Sequence, residues 1–192
     1  MRADLLHIWQ YLDMNHIFRL VYLLLTAPFK KKIEFNSTTT TSFRVWFTDL
    51  DILMHMNNGI YLSLLDLGRV DFMIKTGGFK KVNKKGMYPV VASEGIKFKR
   101  SLRLFQKFEI KTRLAGWDDK FVYLEQSFWS KDRLHASAII KGKFLKKSGE
   151  KVDSAELIEV MGYKGDLRPK PYIQGFSESM DGAFNDHELK QI

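Results

Sequence analysis

Phe47-Thr48-Asp49-Leu50-Asp51-Ile52-Leu53-Met54-His55-Met56-Asn57-Asn58-Gly59-Ile60-Tyr61 ends one element and opens another. Upstream, Phe43-Arg44-Val45-Trp46-Phe47 is β-branched and aromatic and reads as a strand, so Asp49 and Asp51 fall where that strand leaves its sheet. Downstream, the short amide side chain of Asn57 or Asn58 can cap a helix. From Tyr61 onward, Leu64, Leu65, Gly68, Phe72 and Met73 recur at three- and four-residue spacing, and Gly77-Gly78 supplies the stop. Unpaired amides and the positive end of a helix dipole therefore lie a few residues from Asp51. Such a helix start can stabilise a carbonyl oxygen that gains negative charge, while a carboxylate works from the other side. The plainer roles are a turn for the aspartates, a cap for the asparagines and a satisfied loop or core position for His55.

Past the helix, the period changes to two. Val90 to Lys99, Phe108 to Ala115, Phe121 to Trp129 and Leu134 to Leu145 read as four strands, with Gly116-Trp117-Asp118-Asp119 as a turn. The order strand, helix, four strands predicts an α+β domain with an antiparallel sheet packed on one apolar helix. Ahead of it, Ile17 to Phe29 is apolar but interrupted by Arg19, and its uninterrupted core falls short of the ~20 residues that span a bilayer. Pro28 after Ala27 and the late start of the run argue against a cleaved leader. Two readings stay open: a helix packed on the domain or on a second subunit, or an interfacial membrane anchor reinforced by Lys30-Lys31-Lys32. From Lys164 the chain is polar, with Pro169 and Pro171, and reads as a surface arm ending in a short helix near His187. The expected division is 1–36 as an apolar and basic helical extension, 37–162 as the folded domain and 163–192 as the arm.

The chain has 192 residues, enough for one domain with additions, and its apolar content of 45% argues against disorder. With no cysteine there is neither a disulfide nor a thiol nucleophile, which suits a cytoplasmic setting. His7, His16, His135 and His187 are scattered, so no metal set is expected. The net charge of +9 favours an anionic partner, and basic residues gather at Lys80-Lys81, Lys84-Lys85, Lys97 to Arg103 and Lys141 to Lys147. No nucleic-acid motif accompanies that charge, and neither GxGxxG nor a P-loop is present, so nucleic acid and nucleotide or redox cofactors are not expected.

Asp49-Leu50-Asp51, His55, Asn57-Asn58 and Tyr61 together resemble the D-x-D-x-x-x-H-x-N-N-x-x-Y signature of the 4-hydroxybenzoyl-CoA thioesterase-like branch of the hotdog superfamily. A second block, Arg100 to Phe105 running through Phe108 to Asp119, is similar to the subfamily formed by the sixth member of the thioesterase superfamily and its bacterial relatives. The resemblance spans about Phe43 to Val160. It implies a hotdog fold, a curved antiparallel sheet wrapped around a central helix, in a dimer or tetramer. It also implies an acyl-CoA substrate and no cofactor.

By the same resemblance Asp51 is the catalytic carboxylate, His55 orients substrate or Asp51, and the amides of Asn58 and Gly59 hold the thioester oxygen. Asn57, Tyr61, Arg100 and Arg103 are the expected substrate contacts. Plant acyl-carrier-protein thioesterases have an asparagine where this chain has Leu53, so a single-carboxylate scheme is implied here. The alternative is a hotdog protein that binds acyl groups or lipid at a membrane without hydrolysing them. A third reading, dehydration of hydroxyacyl thioesters, lacks a clearly placed histidine at the first strand–helix junction.

Overall fold

The computed structural model of the chain describes residues 14–183. A helix α1 (Met14–Thr26) runs into a short 3-10 turn at Ala27–Phe29 and then to strand β1 (Thr39–Arg44). The central helix α2 (Asn58–Lys75) is followed by α3 (Gly78–Lys84) and by β2 (Met87–Phe98), β3 (Lys107–Trp117), β4 (Val122–Ser130) and β5 (Arg133–Lys146). Two further helices, α4 (Ser154–Met161) and α5 (Pro171–Ala183), complete the described chain. Expectation and structure agree on strand, helix and four strands, in an α+β arrangement, but the first strand lies earlier than the expected 43–47, and Phe47–Asp49 forms a 3-10 turn.

All strand pairs are antiparallel, in the order β1-β3-β4-β5-β2. Consecutive β1 and β2 thus occupy opposite edges, and the segment between them must cross the whole width of the sheet. It does so as α2, whose Leu64, Leu65, Gly68, Phe72 and Met73 are buried as their spacing requires. Strand β3 alternates buried Phe108, Ile110 and Leu114 with more exposed residues, so only one face of the sheet meets the helix. Register shifts at Val91/Ser93 and Leu114/Gly116 add the local twist that curves a sheet around a helix. The core divides along α2. Leu64, Leu65, Phe108, Phe128 and Ile140 pack near its start, and Phe72, Val82, Met87, Leu114 and Leu157 near its end.

Two buried polar clusters pin the helix to the sheet. Asp71 takes Lys30 Nζ at 2.5 Å, Lys75 Nζ at 2.7 Å and the Thr41 hydroxyl at 2.6 Å. Burial alone would raise its pKa, but these donors outweigh that and hold the carboxyl below the usual range. Gln126 donates to Leu65 O at 3.0 Å and Thr112 Oγ1 at 2.9 Å, and accepts from Arg69 at 2.9 Å. Gly68 lies against it. A Cβ there would meet Gln126 Nε2 at 2.7 Å and Ile110 Cγ2 at 3.0 Å, and a glutamine bonded at both ends cannot withdraw. Gly68→Ala is therefore expected to lower stability by about 1–3 kcal/mol, although alanine is the better helix former. Urea denaturation measures it; an unchanged or raised midpoint would show that the contact relaxes freely.

The C-terminal stretch departs from the expected arm, because α5 lies on the sheet face opposite α2. Ile173 is buried, Phe176 packs over Gly95, Ser177 meets the Tyr123 hydroxyl at 3.1 Å, and Asp181 pairs with Lys141, only 1% exposed, at 2.6 Å. These inward positions are too few and too polar to give a helical signature in sequence. The segment near His187 lies outside the described residues.

Candidate active site

Between β1 and α2 the chain folds into a small closed loop. Asp49 ends a single 3-10 turn (Phe47–Asp49), and Leu50 bridges Met56 across the loop. Inside it Asp51 N donates to His55 O at 2.8 Å and Met54 N to Asp51 O at 3.0 Å, with Met54 at a left-handed φ of 59°. Met56 N then donates to Leu102 O at 2.9 Å and Asn57 N to Asp49 O at 2.8 Å, which delivers the chain to the start of α2.

The Asp51 carboxylate is half-buried and sits against this turn. Its Oδ1 accepts from Leu53 N at 2.9 Å and His55 N at 3.2 Å, while Oδ2 has no partner among the described residues. Asn57, not Asn58, is the helix cap, its Oδ1 accepting from Gly59 N at 2.8 Å. That bond occupies the Gly59 amide, one of the two expected oxyanion donors. The Asn58 amide has no partner among the described residues. One turn thus holds a carboxylate oxygen and a helix-start N–H, both open. Leu53, 69% exposed, is at the loop tip between the exposed Ile52 and Met54.

His55 is half-buried and its backbone bridges Arg103, which places an exposed arginine next to the turn. Arg100 lies further along, its guanidinium on Leu134 O at 2.8 Å. Tyr61 departs from the expected substrate contact. It is buried between Phe98 and Phe128 at centroid distances of 5.2 and 4.9 Å, and its hydroxyl accepts from Leu102 N at 3.2 Å. Its helical phase, shared with Leu64, Leu65 and Gly68, turns it inward. Burial raises its pKa, and the Leu102 amide opposes that only in part.

Asp49 is fully buried, with Arg19 of α1 on Oδ1 at 2.9 Å and on Oδ2 at 2.6 Å and the Trp46 amide on Oδ2 at 2.8 Å. Read alone, Arg19 interrupts an apolar run; in the fold it is the counter-ion beneath the loop. A second cluster absent from the sequence reading surrounds Arg69 on α2, which contacts Asp66, Gln126 and Glu94. Burial pushes the Glu94 carboxyl up, against the pull of Arg69. Arg69 and Asp66 border an apolar cavity of about 200 Å³ between α2 and strands β2 and β5, lined by Val70, Phe72, Phe79, Val91 and Phe144. No group of three or more His, Cys, Asp or Glu among the described residues is placed to hold a metal ion.

An antiparallel sheet curved around one helix, with a carboxylate-bearing loop at the helix start, is the hotdog arrangement. The chain belongs to the Thioesterase-like superfamily, whose family model matches residues 45–162. It is 41% identical over 95 residues to Protein THEM6 of Xenopus laevis, covering 50% of this chain and 46% of that one. The chain spans about half the length of the curated relatives it matches. Among solved structures, YbaW, a probable thioesterase of Escherichia coli, superposes with a TM-score of 0.60 at 24% identity, over 64% of this chain and 95% of that one. The BH1999 gentisyl-coenzyme A thioesterase gives 0.57 at 20% identity, over 63% and 99%.

Proposed function

We propose that the chain hydrolyses acyl-CoA thioesters, with Asp51 as the reacting carboxylate and the Asn58 amide as the principal oxyanion donor. The observation that carries this is an Asp51 Oδ2 and an N–H at the start of α2 that both lack a partner among the described residues and lie seven residues apart in one short segment. A departing thiol of ordinary pKa, ~8.5, needs little protonation, so one carboxylate and one oxyanion donor cover the chemical demand. Asp51 either activates a water or attacks the carbonyl itself. His55 holds the turn and orients the substrate; the Gly59 amide joins the oxyanion only by leaving the Asn57 side chain. Arg103 and Arg100 attract the anionic coenzyme. The apolar cavity beside Arg69 suits an acyl group, and family membership and the coenzyme A thioesterase fold relative support the substrate class.

Two copies pairing along β2 would extend the sheet, since the outer edge of that strand is unpaired among the described residues and Tyr88, Val91 and Phe98 on it are each about 40% exposed. The test of function is thiol release from short-, medium-, long-chain and aryl acyl-CoAs by the purified chain. Turnover on none of them, with tight acyl binding retained, would replace hydrolysis by carriage of acyl groups.

That second reading has its own observation. Helix α1 is inverted, with His16, Arg19 and Leu23 turned into the domain and Phe18, Tyr22, Leu24 and Leu25 exposed; Phe29 follows at 89% exposure, just ahead of Lys30-Lys31-Lys32. No described helix is long and apolar enough to cross a membrane. The helix suits instead the interface of an anionic bilayer, facing the cytoplasm, with the lysines at the headgroups. Replacing Phe18, Leu25 and Phe29 together by serine is expected to weaken sedimentation with anionic liposomes by at least ~10-fold, given the apolar area each withdraws. Undiminished binding would exclude α1 as the anchor.

A further inference from the structure

The sheet face turned away from α2 carries an ordered aromatic platform that the hydrolytic chemistry does not use. On β4, the Trp129 indole N–H donates to Ser127 Oγ at 2.8 Å, and Lys111 Nζ of β3 stands 5.0 Å from the centroid of its ring. One bond and one cation–π contact thus fix the tilt of the indole. Trp129 and Lys111 occupy the junction of two surface depressions. The first, of about 760 Å³, is floored by Ser127, Ser137 and Gly95 and closed on one side by Tyr172 of α5. The second, of about 1150 Å³, runs past Lys107 and Lys131 to Arg103, the residue whose backbone bridges His55. Its lining holds five Lys and Arg side chains against only Glu109 and Asp132. The candidate catalytic turn is therefore joined to a fixed indole by a basic track.

We propose that this track binds the phosphorylated nucleotide end of the coenzyme A thioester. The adenine stacks on the Trp129 indole where it lines the two depressions, beside Lys111. The phosphates lie among Lys111, Lys107 and Arg103, and the pantetheine arm leads back toward Asp51. An aromatic plane takes any base, and the surrounding ammonium and guanidinium groups neutralise phosphate. The proposal rests on the acyl-CoA reading, but nucleotide binding is measurable without turnover.

The experiment titrates adenosine 3′,5′-bisphosphate into the full chain by calorimetry, with inorganic pyrophosphate as the control for charge alone. Saturable binding is expected, at least ~10-fold weaker in Trp129→Ala and in Lys111→Glu and largely restored in Trp129→Phe, which keeps a stacking face. Thermal melts establish that each variant is folded. On substrates, the preference for acyl-CoA over the same acyl group on pantetheine is expected to shrink by a similar factor in Trp129→Ala, through KM. Unaltered affinity in both variants, or pyrophosphate bound as tightly as the nucleotide, would overturn the site. A wild type that binds the bisphosphate but releases no thiol would instead count against hydrolysis and leave the site standing.

Discussion

Asp51→Asn is expected to leave a folded protein whose kcat/KM for acyl-CoA falls by at least ~10³-fold, because it removes the carboxylate proposed to take a proton from water or to attack the carbonyl. The substitution is informative because of how the loop is built. Asparagine keeps an oxygen at Oδ1, so the bonds from Leu53 N and His55 N survive and Met54 keeps its left-handed backbone. What changes is the open position at Oδ2, which becomes an amide nitrogen with no basicity. Loss of activity with an unchanged melting curve therefore isolates the chemistry from the fold. Activity within ~10-fold of wild type would mean that Asp51 is only a turn residue, and attention would move to Glu94, the half-buried acid beside Arg69.

The second large effect is structural. Breaking the buried pair of Arg19 and Asp49 from either side is expected to cost about 3–5 kcal/mol, since each single truncation leaves an uncompensated charge in the interior. For a chain of this size that corresponds to a fall in Tm of roughly 6–20 °C. Asp49→Ala also orphans the Trp46 amide and leaves Arg19 the Arg44 carbonyl, at 2.9 Å, and the Phe43 ring, neither of which carries a compensating charge. Because the Asp49 carbonyl accepts from Asn57 N, the damage extends to the cap of α2 and the open Asn58 amide. Arg19→Met combined with Asp49→Leu is expected to recover part of the loss, because both desolvation penalties disappear together. Calorimetric melts of the two single variants and the double variant provide the measurement. Single variants within ~1 kcal/mol of wild type would show that water reaches the pair.

Much of this molecule is legible because its signals are local. The cap at Asn57, the inward phase of Leu64, Leu65 and Gly68 and the alternation along β3 each depend on neighbours within four residues. Even the burial of Tyr61 follows from that phase; the motif that drew it toward substrate outweighed its own periodicity. Illegible features depend on partners far away in the chain. Arg19 finds Asp49 thirty residues on, Arg69 of α2 finds Glu94 of β2 across the helix–sheet interface, and α5 docks on strands whose outward residues carry no apolar pattern. The candidate site divides the same way. Asp51, His55, Asn57, Asn58 and Gly59 fall within one short loop and are readable together, whereas the occupied Gly59 amide and the track from Arg103 to Trp129 emerge only from three-dimensional geometry.

The placement of β1 and β2 on opposite edges makes α2 a mechanical tie. A load on one edge strand reaches the other through the helix as well as through four ladders of hydrogen bonds. The two edges cannot part without drawing α2 out of the hollow it fills. The sheet therefore keeps its curvature as a sprung strip keeps its bow, and the loop at the helix start rides on the taut end of the string.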